Sequence, residues 1–441
     1  MTLKSSFLFA KSLIFPKTEK KSSARKSVAG VLICIGLSVV PLVVVLAITN
    51  GMIDGMTERI IGLSSSHIQA YVASDIPETK SSDSFKLFTQ ELNEDPEIIN
   101  AYPELTLSAL TATTSFRTGA QVRAVESDIF ENNSSFKKLL EFEEGDSVDF
   151  ESGKNAILGS KLAQMLDVHC GDTVRIITTK TVGNQVAPKL TSFKVSGIVS
   201  SGYQELDALW IFIPIETAFK NLSLSNANYT VMLETKDAFA PDLVRIQKSL
   251  QTRYGRIANF YRWDKLHEAE FQNFSSTKVM LVFIMVLIVL VASINVSSAI
   301  VMLVMERKKE IAILKSIGAT PQGITLSFLI AGASCGLGGI LIGIPAGLLL
   351  SVNANEILVA LENFVNFLAK GFYLLQGIPA EEIASIHLMD AAYYLQTIPI
   401  NIPFGQILLI GVLTVLLSLV VSLIPSVKAG KEKPLDILRK S

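Results

Sequence analysis

The chain has 441 residues, of which 49% are hydrophobic and only 18% are charged, and its mean hydropathy is +0.43. Because soluble proteins carry charge on about a quarter of their residues, this composition excludes a wholly soluble enzyme. A chain that is nothing but membrane is also excluded, since residues 51–275 have the composition of an ordinary folded domain. The net charge of −1 is the sum of large local imbalances of opposite sign.

The first segment, residues 1–27, is basic and predicts an interfacial helix that leads into the membrane. Leu3, Phe7 and Ile14 fall on one face of such a helix, although a disordered basic tail is an alternative. The apolar run that follows is too long for a signal peptide, and no A-x-A-like cleavage site follows it. We therefore expect an uncleaved membrane anchor.

Four predominantly apolar stretches are long enough to cross a bilayer, which takes about 20 residues at 1.5 Å of helical rise. The predicted transmembrane helices cover residues 28–50, 276–305, 322–352 and 404–427. The third contains six glycines between residues 332 and 347. Their three- and four-residue spacing predicts close packing against neighbouring helices.

Residues 51–275, between the first two spans, predict a folded α+β domain. They contain 30 Asp and Glu against 21 Lys and Arg, a net charge of −9. Segments rich in β-branched and aromatic residues predict strands at 174–179, 193–199 and 208–214. Apolar residues at helical spacing predict a helix over 235–253. Residues 180–191 predict a protruding hairpin or loop, which is either a binding element or a plain connector.

Lys and Arg cluster at three places beside the spans, and such cations are retained on the cytoplasmic side. Seven precede the first span, four lie in 306–321 and five lie in the tail 428–441. The connection 353–403, predicted as a loop, has one cation, Lys370, against five acids. We therefore expect both termini and residues 306–321 in the cytoplasm, and the large domain on the far side.

The sequence lacks the patterns of common enzymes and pumps. No H-x-x-x-H pair, metal-ligand cluster or nucleophile elbow occurs, so we expect no catalytic residue and no metal site. No Walker A sequence occurs either, so ATP-driven work would need a partner ATPase. The apolar cores of the spans carry no charge of the kind that marks ion pathways. A non-catalytic membrane subunit, with no bound cofactor and no nucleic-acid partner, fits best.

Residues 306–321 predict a short amphipathic helix that docks on a partner. It is charged at its start, and Gly318 is placed to end it. The apolar side chains available to a partner's groove are Ile311, Ile313, Leu314 and Ile317. A cationic loop that merely satisfies the orientation rule is the alternative.

The segment MERKKEIAILKSIGATPQGI (305–324) resembles the coupling helix of type VII ABC transporter permeases. These permeases are the lipoprotein-releasing LolC and LolE proteins, MacB-type exporters and FtsX. Two further segments are similar to the LolC/LolE branch: VVVLAITNGMIDGM (43–56) and NAILGSKLAQMLDVHCGDTVRI (155–176). The C-terminal segment LIPSVKAGKEKPLDILRKS (423–441) resembles the ending that the whole superfamily shares. The chain thus resembles a lipoprotein-releasing permease over most of its length.

The resemblance implies ATP-driven extraction of lipoproteins from the inner membrane and their delivery to a periplasmic carrier, by mechanotransmission. ATP and Mg would bind a separate ABC ATPase subunit, expected in two copies, and the chain would pair with a second permease, the same or homologous. Membrane lipid and the lipoprotein substrate are the other expected partners. A MacB-like exporter, an FtsX-like signalling permease and a membrane-anchored binding or sensor protein stay open as alternatives. So does the choice between a LolC-like and a LolE-like role.

The resemblance also implies three groups of site residues. The coupling residues expected to dock the ATPase are Glu306, Arg307, Lys308, Glu310, Ile311, Leu314, Lys315 and Gly318. The residues expected to border the lipoprotein cavity, a flexible apolar wall suited to acyl chains, are Val43, Leu46, Asn50, Met52, Ile53 and Met56. In LolC a hairpin recruits the carrier, and the residues in the corresponding loop here are Val182, Gln185 and Pro188.

Overall fold

The structure is a computed structural model that describes residues 7–10, 23–73, 81–151, 153–182, 185–375 and 399–431. The chain divides into two compact units. The membrane unit comprises Met1–Gly51, Phe274–Ile386 and Pro399–Ser441, so far as these ranges are described. The external domain comprises the described residues of Met52–Asn273.

The helices, in chain order, are α1 (Ser23–Arg59), α2 (Ser82–Asn93), α3 (Ile129–Asn132), α4 (Ser134–Leu139), α5 (Ser160–Leu166), α6 (Gln204–Asp207), α7 (Ile215–Asn221), α8 (Leu243–Tyr254), α9 (Trp263–Leu266), α10 (Glu268–Glu306), α11 (Lys308–Ser316), α12 (Pro321–Val352), α13 (Ala354–Leu375) and α14 (Phe404–Lys431). The strands are β1 (Ile68–Val72), β2 (Asn100–Ala112), β3 (Arg117–Val125), β4 (Glu141–Gly145), β5 (Asn155–Gly159), β6 (Thr173–Val182), β7 (Gln185–Ser200), β8 (Trp210–Pro214), β9 (Asn228–Glu234) and β10 (Ala258–Arg262). A π-helical turn, Ile60–Ser65, follows α1 directly.

Within the described chain, four helices are long and apolar enough to cross a membrane, and they are α1, α10, α12 and α14. The prediction of four spans with an α+β domain between the first and second is therefore confirmed. Two of these helices are longer than a bilayer requires: α1 has 37 residues and α10 has 39. Each begins in one unit and ends in the other by residue range. Of the predicted N-terminal helix, residues 7–10 are described and are helical; Leu3 and Ile14 lie outside the described residues.

Glycines of α12 allow two neighbouring helices to approach closely on two sides. A Cβ at Gly343 would lie 2.8 Å from the carbonyl oxygen of Gly36 in α1. A Cβ at Gly336 would lie 2.9 Å from Oγ of Ser418 in α14. Because side-chain carbons do not approach other atoms so closely, these contacts depend on glycine. The close packing predicted from the glycine spacing is thus found in the membrane unit.

The external domain is built on a mixed sheet of ten strands, counted over the described residues. The order is β10-β1-β9-β2-β3-β8-β5-β7-β4, and β6 pairs with both β2 and β7. All pairs are antiparallel except β3 with β8 and β5 with β7. The largest apolar cluster buries Leu92 of α2, Leu162 of α5 and Leu250 of α8 with the strand residues. The amphipathic helices thus cover the apolar side of the sheet.

The strand predictions at 174–179 and 193–199 fall inside β6 and β7. The structure also shows where the other predictions deviate. The strand predicted at 208–214 begins at Trp210, because the residues before it close the short helix α6. The helix predicted over 235–253 begins only at Leu243, because a turn that contains Asp237 comes before it. The connection predicted as a loop over 353–403 contains the 22-residue helix α13, which the sequence reading missed.

A second apolar cluster of the external domain encloses a buried ion pair. The guanidinium of Arg123 on β3 contacts the carboxylate of Glu104 on β2, and their side chains are only 2% and 1% exposed. Cζ of Arg123 lies 4.4 Å from the ring centroid of Trp210 and 5.2 Å from that of Phe212. The cation is therefore stabilised by both a carboxylate and aromatic faces. Removing either partner would leave a charge without compensation in the core.

We predict that Arg123→Met lowers the free energy of unfolding of the external domain by about 3–5 kcal/mol, because Glu104 is left buried and unpaired. Urea unfolding of the full chain in detergent, followed by the fluorescence of its two tryptophans, Trp210 and Trp263, measures this change. The control is the double variant Arg123→Met with Glu104→Leu. Because an apolar pair replaces a buried ion pair at little cost, it should regain most of the loss. A single variant as stable as wild type would contradict the burial of a charged pair.

His67, just before β1, is held in its neutral form by a hydrogen bond. Its Nδ1 accepts the backbone N–H of Thr235 at 3.1 Å. Burial lowers the pKa of His67, against a smaller raising effect from Glu234 and Asp237. In the unfolded chain the pKa of a histidine is about 6.5. Below neutral pH, His67 therefore binds more protons in the unfolded chain than in the folded chain. Stability should fall as the pH decreases through that value.

We predict that the external domain is less stable at about pH 5.5 than at about pH 7.5, and that His67→Asn reduces this difference. The asparagine Oδ1 can accept the Thr235 N–H but does not titrate. Burial also lowers the pKa of His267, so part of the pH dependence should stay. Urea unfolding at the two pH values measures both effects, and an unchanged pH dependence in the variant would contradict the assignment to His67.

Candidate functional site

The segment that joins the second and third spans forms the short helix α11. Arg307 precedes it and pairs with Glu310 in its first turn. At its end, Gly318 adopts a φ of +102°, which favours glycine, and the N–H of Ala319 bonds to the carbonyl of Leu314 at 2.9 Å. The helix therefore ends in the way that the sequence predicted for Gly318.

The two faces of α11 have different surroundings. Ile311 and Ala312 are fully buried, and Ile311 packs in a cluster with Ile324 and Phe328 of α12. On the opposite face, Ile313 is 53% exposed and Ile317, just after the helix, is 80% exposed. A partner can therefore reach Ile313 and Ile317, whereas Ile311 anchors the helix within the membrane unit.

Helix α11 is also bonded to the end of the fourth span, α14. Nζ of Lys315 donates to the carbonyl of Gly430 in α14 at 2.6 Å. A Cβ at Gly430 would lie 2.8 Å from the carbonyl oxygen of Pro321 at the start of α12. Helix α11, the start of α12 and the end of α14 therefore meet at these atoms.

The predicted docking residues divide by exposure. The exposed ones are Glu306, Glu310 and Gly318; the half-buried ones are Arg307, Lys308, Leu314 and Lys315; and Ile311 is buried. Their role in docking stays a prediction.

The residues predicted to border the lipoprotein cavity are mostly buried within this chain. Val43 packs on α12, where a Cβ at Gly347 would lie 2.7 Å from the Cβ of Val43. Nδ2 of Asn50 donates to Oε1 of Gln406 on α14 at 3.0 Å. Five of the six predicted residues are buried: Val43, Leu46, Asn50, Ile53 and Met56. The sixth, Met52, is half-buried. Their place in a cavity stays a prediction.

Past the membrane, the end of α1 is held by a loop of the external domain. Nε of Arg59 donates to the carbonyl of Ser201 at 2.5 Å. The N–H of Ser201 in turn donates to the buried carboxylate of Asp207 at 2.8 Å. Gly202, beside this carbonyl, has a φ of +70°, and a Cβ there would lie 3.1 Å from Nη2 of Arg59. We call Arg59, Ser201, Gly202 and Asp207 the Arg59 clasp.

The π-helical turn after the clasp packs tightly on α4. A Cβ at Gly62 would lie 2.8 Å from Cδ1 of Leu139 and 2.9 Å from the Cβ of Ser135. Leu63 is fully buried in the cluster that contains Trp210 and Phe212. The last turns of the first helix are therefore an integral part of the folded external domain.

The described residues contain no group of three or more His, Cys, Asp or Glu side chains that could hold a metal ion. The geometry instead comprises a short helix with one exposed face, closely packed spans and the Arg59 clasp.

Family comparisons agree with this architecture. The MacB-like periplasmic core domain matches residues 28–247, and the FtsX-like permease C-terminal domain matches residues 282–434. The chain belongs to the MacB-like permeases of the type VII ABC transporters. The external domain of the permease is accordingly periplasmic.

Curated relatives extend the likeness over nearly the whole permease. It is 28% identical to the lipoprotein-releasing system transmembrane protein LolC of Neisseria meningitidis, over 94% of this chain and 93% of that protein. It is 25% identical to the LolE protein of Haemophilus influenzae, over 92% of each. A macrolide export ATP-binding/permease protein MacB of Bdellovibrio bacteriovorus is 27% identical, over 48% of this chain and 36% of that protein.

In the permease, the described residues of 180–191 belong to a long pair of antiparallel strands, β6 and β7. The pairing runs from Thr173 with Lys194 to Val182 with Gln185. Strand β2 pairs with β6 only as far as Ile177, and beyond it Thr179 is bonded by Ser225 and Asn226. Pro188 is exposed opposite Thr179. The predicted carrier-docking residues Val182, Gln185 and Pro188 thus share one end of the hairpin.

We predict that Arg59→Ala lowers the free energy of unfolding of the periplasmic domain by about 1–3 kcal/mol, because a hydrogen bond from a charged donor is lost. The matched control is Lys138→Ala, which breaks the exposed pair of Lys138 with Glu58. That pair should be worth less than about 1 kcal/mol. Urea unfolding of the full chain, followed by tryptophan fluorescence, compares the two variants. Equal effects would show that the Arg59 clasp adds nothing beyond a surface contact.

Proposed function

We propose that this chain is the permease subunit of an ATP-driven ABC transporter that extracts lipoproteins from the inner membrane and passes them to a periplasmic carrier. The observation that carries the proposal is the likeness to LolC along 94% of the chain. The MacB relative matches less than half of it. In this proposal the chain is not an enzyme, and a separate ATPase subunit binds ATP and Mg.

The ATPase docks on the exposed face of α11. Ile313 and Ile317 are exposed apolar side chains on a helix that otherwise starts with charges, and such side chains are typical anchors for a groove on a partner. Glu306, Glu310 and Gly318 border this face. Both termini and α11 lie in the cytoplasm, where the cations beside the spans would be retained.

Motion of α11 reaches the periplasm through the first span. The Lys315–Gly430 bond links α11 to α14, and the glycine contacts of α12 link both neighbours, α14 and α1. Because α1 is helical from Ser23 to Arg59, a shift of its membrane part is carried to the Arg59 clasp. Closure of the ATPase pair would thus move the periplasmic domain.

The cargo and the carrier contact the periplasmic side. A second permease, the same or homologous, faces α1, and acyl chains of the lipoprotein lie near Met52 at the external end of that helix. The carrier binds the hairpin end formed by Val182, Gln185 and Pro188. Ala187 and Pro188 on β7 are exposed, so this part of the hairpin can be reached by another protein.

Co-purification tests the assignment. The tagged full chain, expressed with its neighbouring genes and isolated from membranes in mild detergent, is analysed by mass spectrometry. The proposal expects a P-loop ATPase, a permease partner and a bound triacylated lipoprotein. Recovery of a cell-wall hydrolase or a soluble exported peptide in place of the lipoprotein would favour the FtsX-like or MacB-like alternative and contradict the proposal.

We predict that Ile313→Asp weakens binding of the ATPase subunit by roughly ten-fold or more, because a carboxylate replaces an apolar anchor at the interface. Titration of the ATPase onto the chain in nanodiscs measures the affinity. Gln322→Glu is the control: the residue is exposed at the start of α12, where a helix N-terminus favours a carboxylate. Wild-type affinity of the Ile313→Asp chain would contradict docking on this face.

A further inference from the structure

Helix α13 follows the third span after a single residue, Asn353. The side chain of Asn353 donates to the carbonyl of Leu349 at 2.8 Å, and Ala354 at the start of α13 is buried. The beginning of α13 is therefore fixed to the external end of α12. Two spans separate α13 from the periplasmic domain, so both lie on the same side of the membrane. With 22 residues, α13 is about 33 Å long.

The sequence of α13 is strongly amphipathic. Leu361, Phe364 and Leu368 recur at helical spacing on one side, together with Phe367. The opposite side carries the polar residues Glu356, Glu362, Asn363, Asn366 and Lys370. A stretch with three charged residues is a poor span, and α13 is not among the four candidate spans found in the described chain. Helix α13 is therefore not assigned as a span, although it is long enough to be one.

Four large side chains on the apolar side of α13 are exposed within the described part of the chain. Phe364 is 56% exposed and Phe367 is 73% exposed, and Leu361 and Leu368 are also exposed. Leu349, Leu350 and Val352 in the last turn of α12, directly before α13, are also exposed, as expected of a candidate span. A row of large apolar side chains in water is unfavourable. Because α13 follows a candidate span after one residue, the membrane surface lies within reach of these side chains.

We propose that α13 lies along the outer leaflet of the membrane, with Phe364, Phe367 and Leu368 inserted among the acyl chains and its polar side at the headgroups. The charged residues of α13 are two Glu and one Lys, so the helix has no excess of cations to attract anionic lipid. Its attachment therefore rests on apolar insertion. The proposal does not depend on the transported cargo or on the ATPase.

Depth-dependent fluorescence quenching tests the proposal on the full chain in nanodiscs of zwitterionic lipid. Cys34, Cys170 and Cys335 are first replaced by serine or alanine, and one new cysteine carries the environment-sensitive dye NBD. Phe364→Cys reports the apolar side and its neighbour Asn363→Cys is the matched control on the polar side. Leu368→Cys is a second position if Phe364→Cys fails to fold, as judged by tryptophan fluorescence and size-exclusion chromatography.

The label at 364 should emit to the blue of the label at 363 and be quenched by shallow nitroxide lipids at least about two-fold more strongly. Replacing half of the lipid with anionic lipid should leave this ratio unchanged. Equal quenching at the two positions would overturn the proposal. So would a blue-shifted label at 364 that nitroxide lipids do not quench, because a second protein surface would then cover the helix. A ratio that rises with anionic lipid would contradict attachment by apolar insertion.

Discussion

The contact on which the rest of the structure depends is the close approach of α1 to the glycine face of α12. At Gly343 no side chain fits, because a Cβ would meet the backbone of Gly36 at 2.8 Å. A membrane offers no hydrophobic driving force between helices, so such close van der Waals packing is what holds spans together. On the other side of α12, Gly336 allows α14 to pack equally closely. Helix α14 is in turn bonded to Lys315 of α11. The first span is thus connected to α11, the proposed docking helix, through these contacts of α12 and α14.

The same helix becomes part of a folded domain once it leaves the membrane. Arg59 donates to Ser201, and Leu63 is buried in the aromatic cluster. The domain itself is stabilised by a sheet of ten described strands and a buried ion pair on β2 and β3. In the proposed mechanism, motion of α1, and not a charged conduit, does the work.

The sequence was sufficient for the four spans and the type of the intervening domain, because long uncharged runs and alternating strand patterns are local signals. It could not decide which face of α11 points inward. Ile311 and Ile313 are both apolar, and only the packing on Phe328 separates a buried anchor from an exposed one. The Arg59 clasp was also beyond reach, since Arg59 and Ser201 are 142 residues apart. Helix α13 had a readable signal in the spacing of Leu361, Phe364 and Leu368, but its charges made the segment look like a loop.

The central claim is that α1 carries motion from the membrane to the periplasmic domain, and interruption of that helix tests it most directly. A Gly-Ser-Gly insertion after Asp54, which is exposed on α1, would decouple the membrane part of the helix from the Arg59 clasp. The control places the same insertion between Thr114 and Ser115, in the exposed turn between β2 and β3. ATP hydrolysis and lipoprotein release are then measured in proteoliposomes with the co-purified ATPase. The account predicts continued hydrolysis with release lost only in the α1 insertion. Normal release by that variant would contradict it.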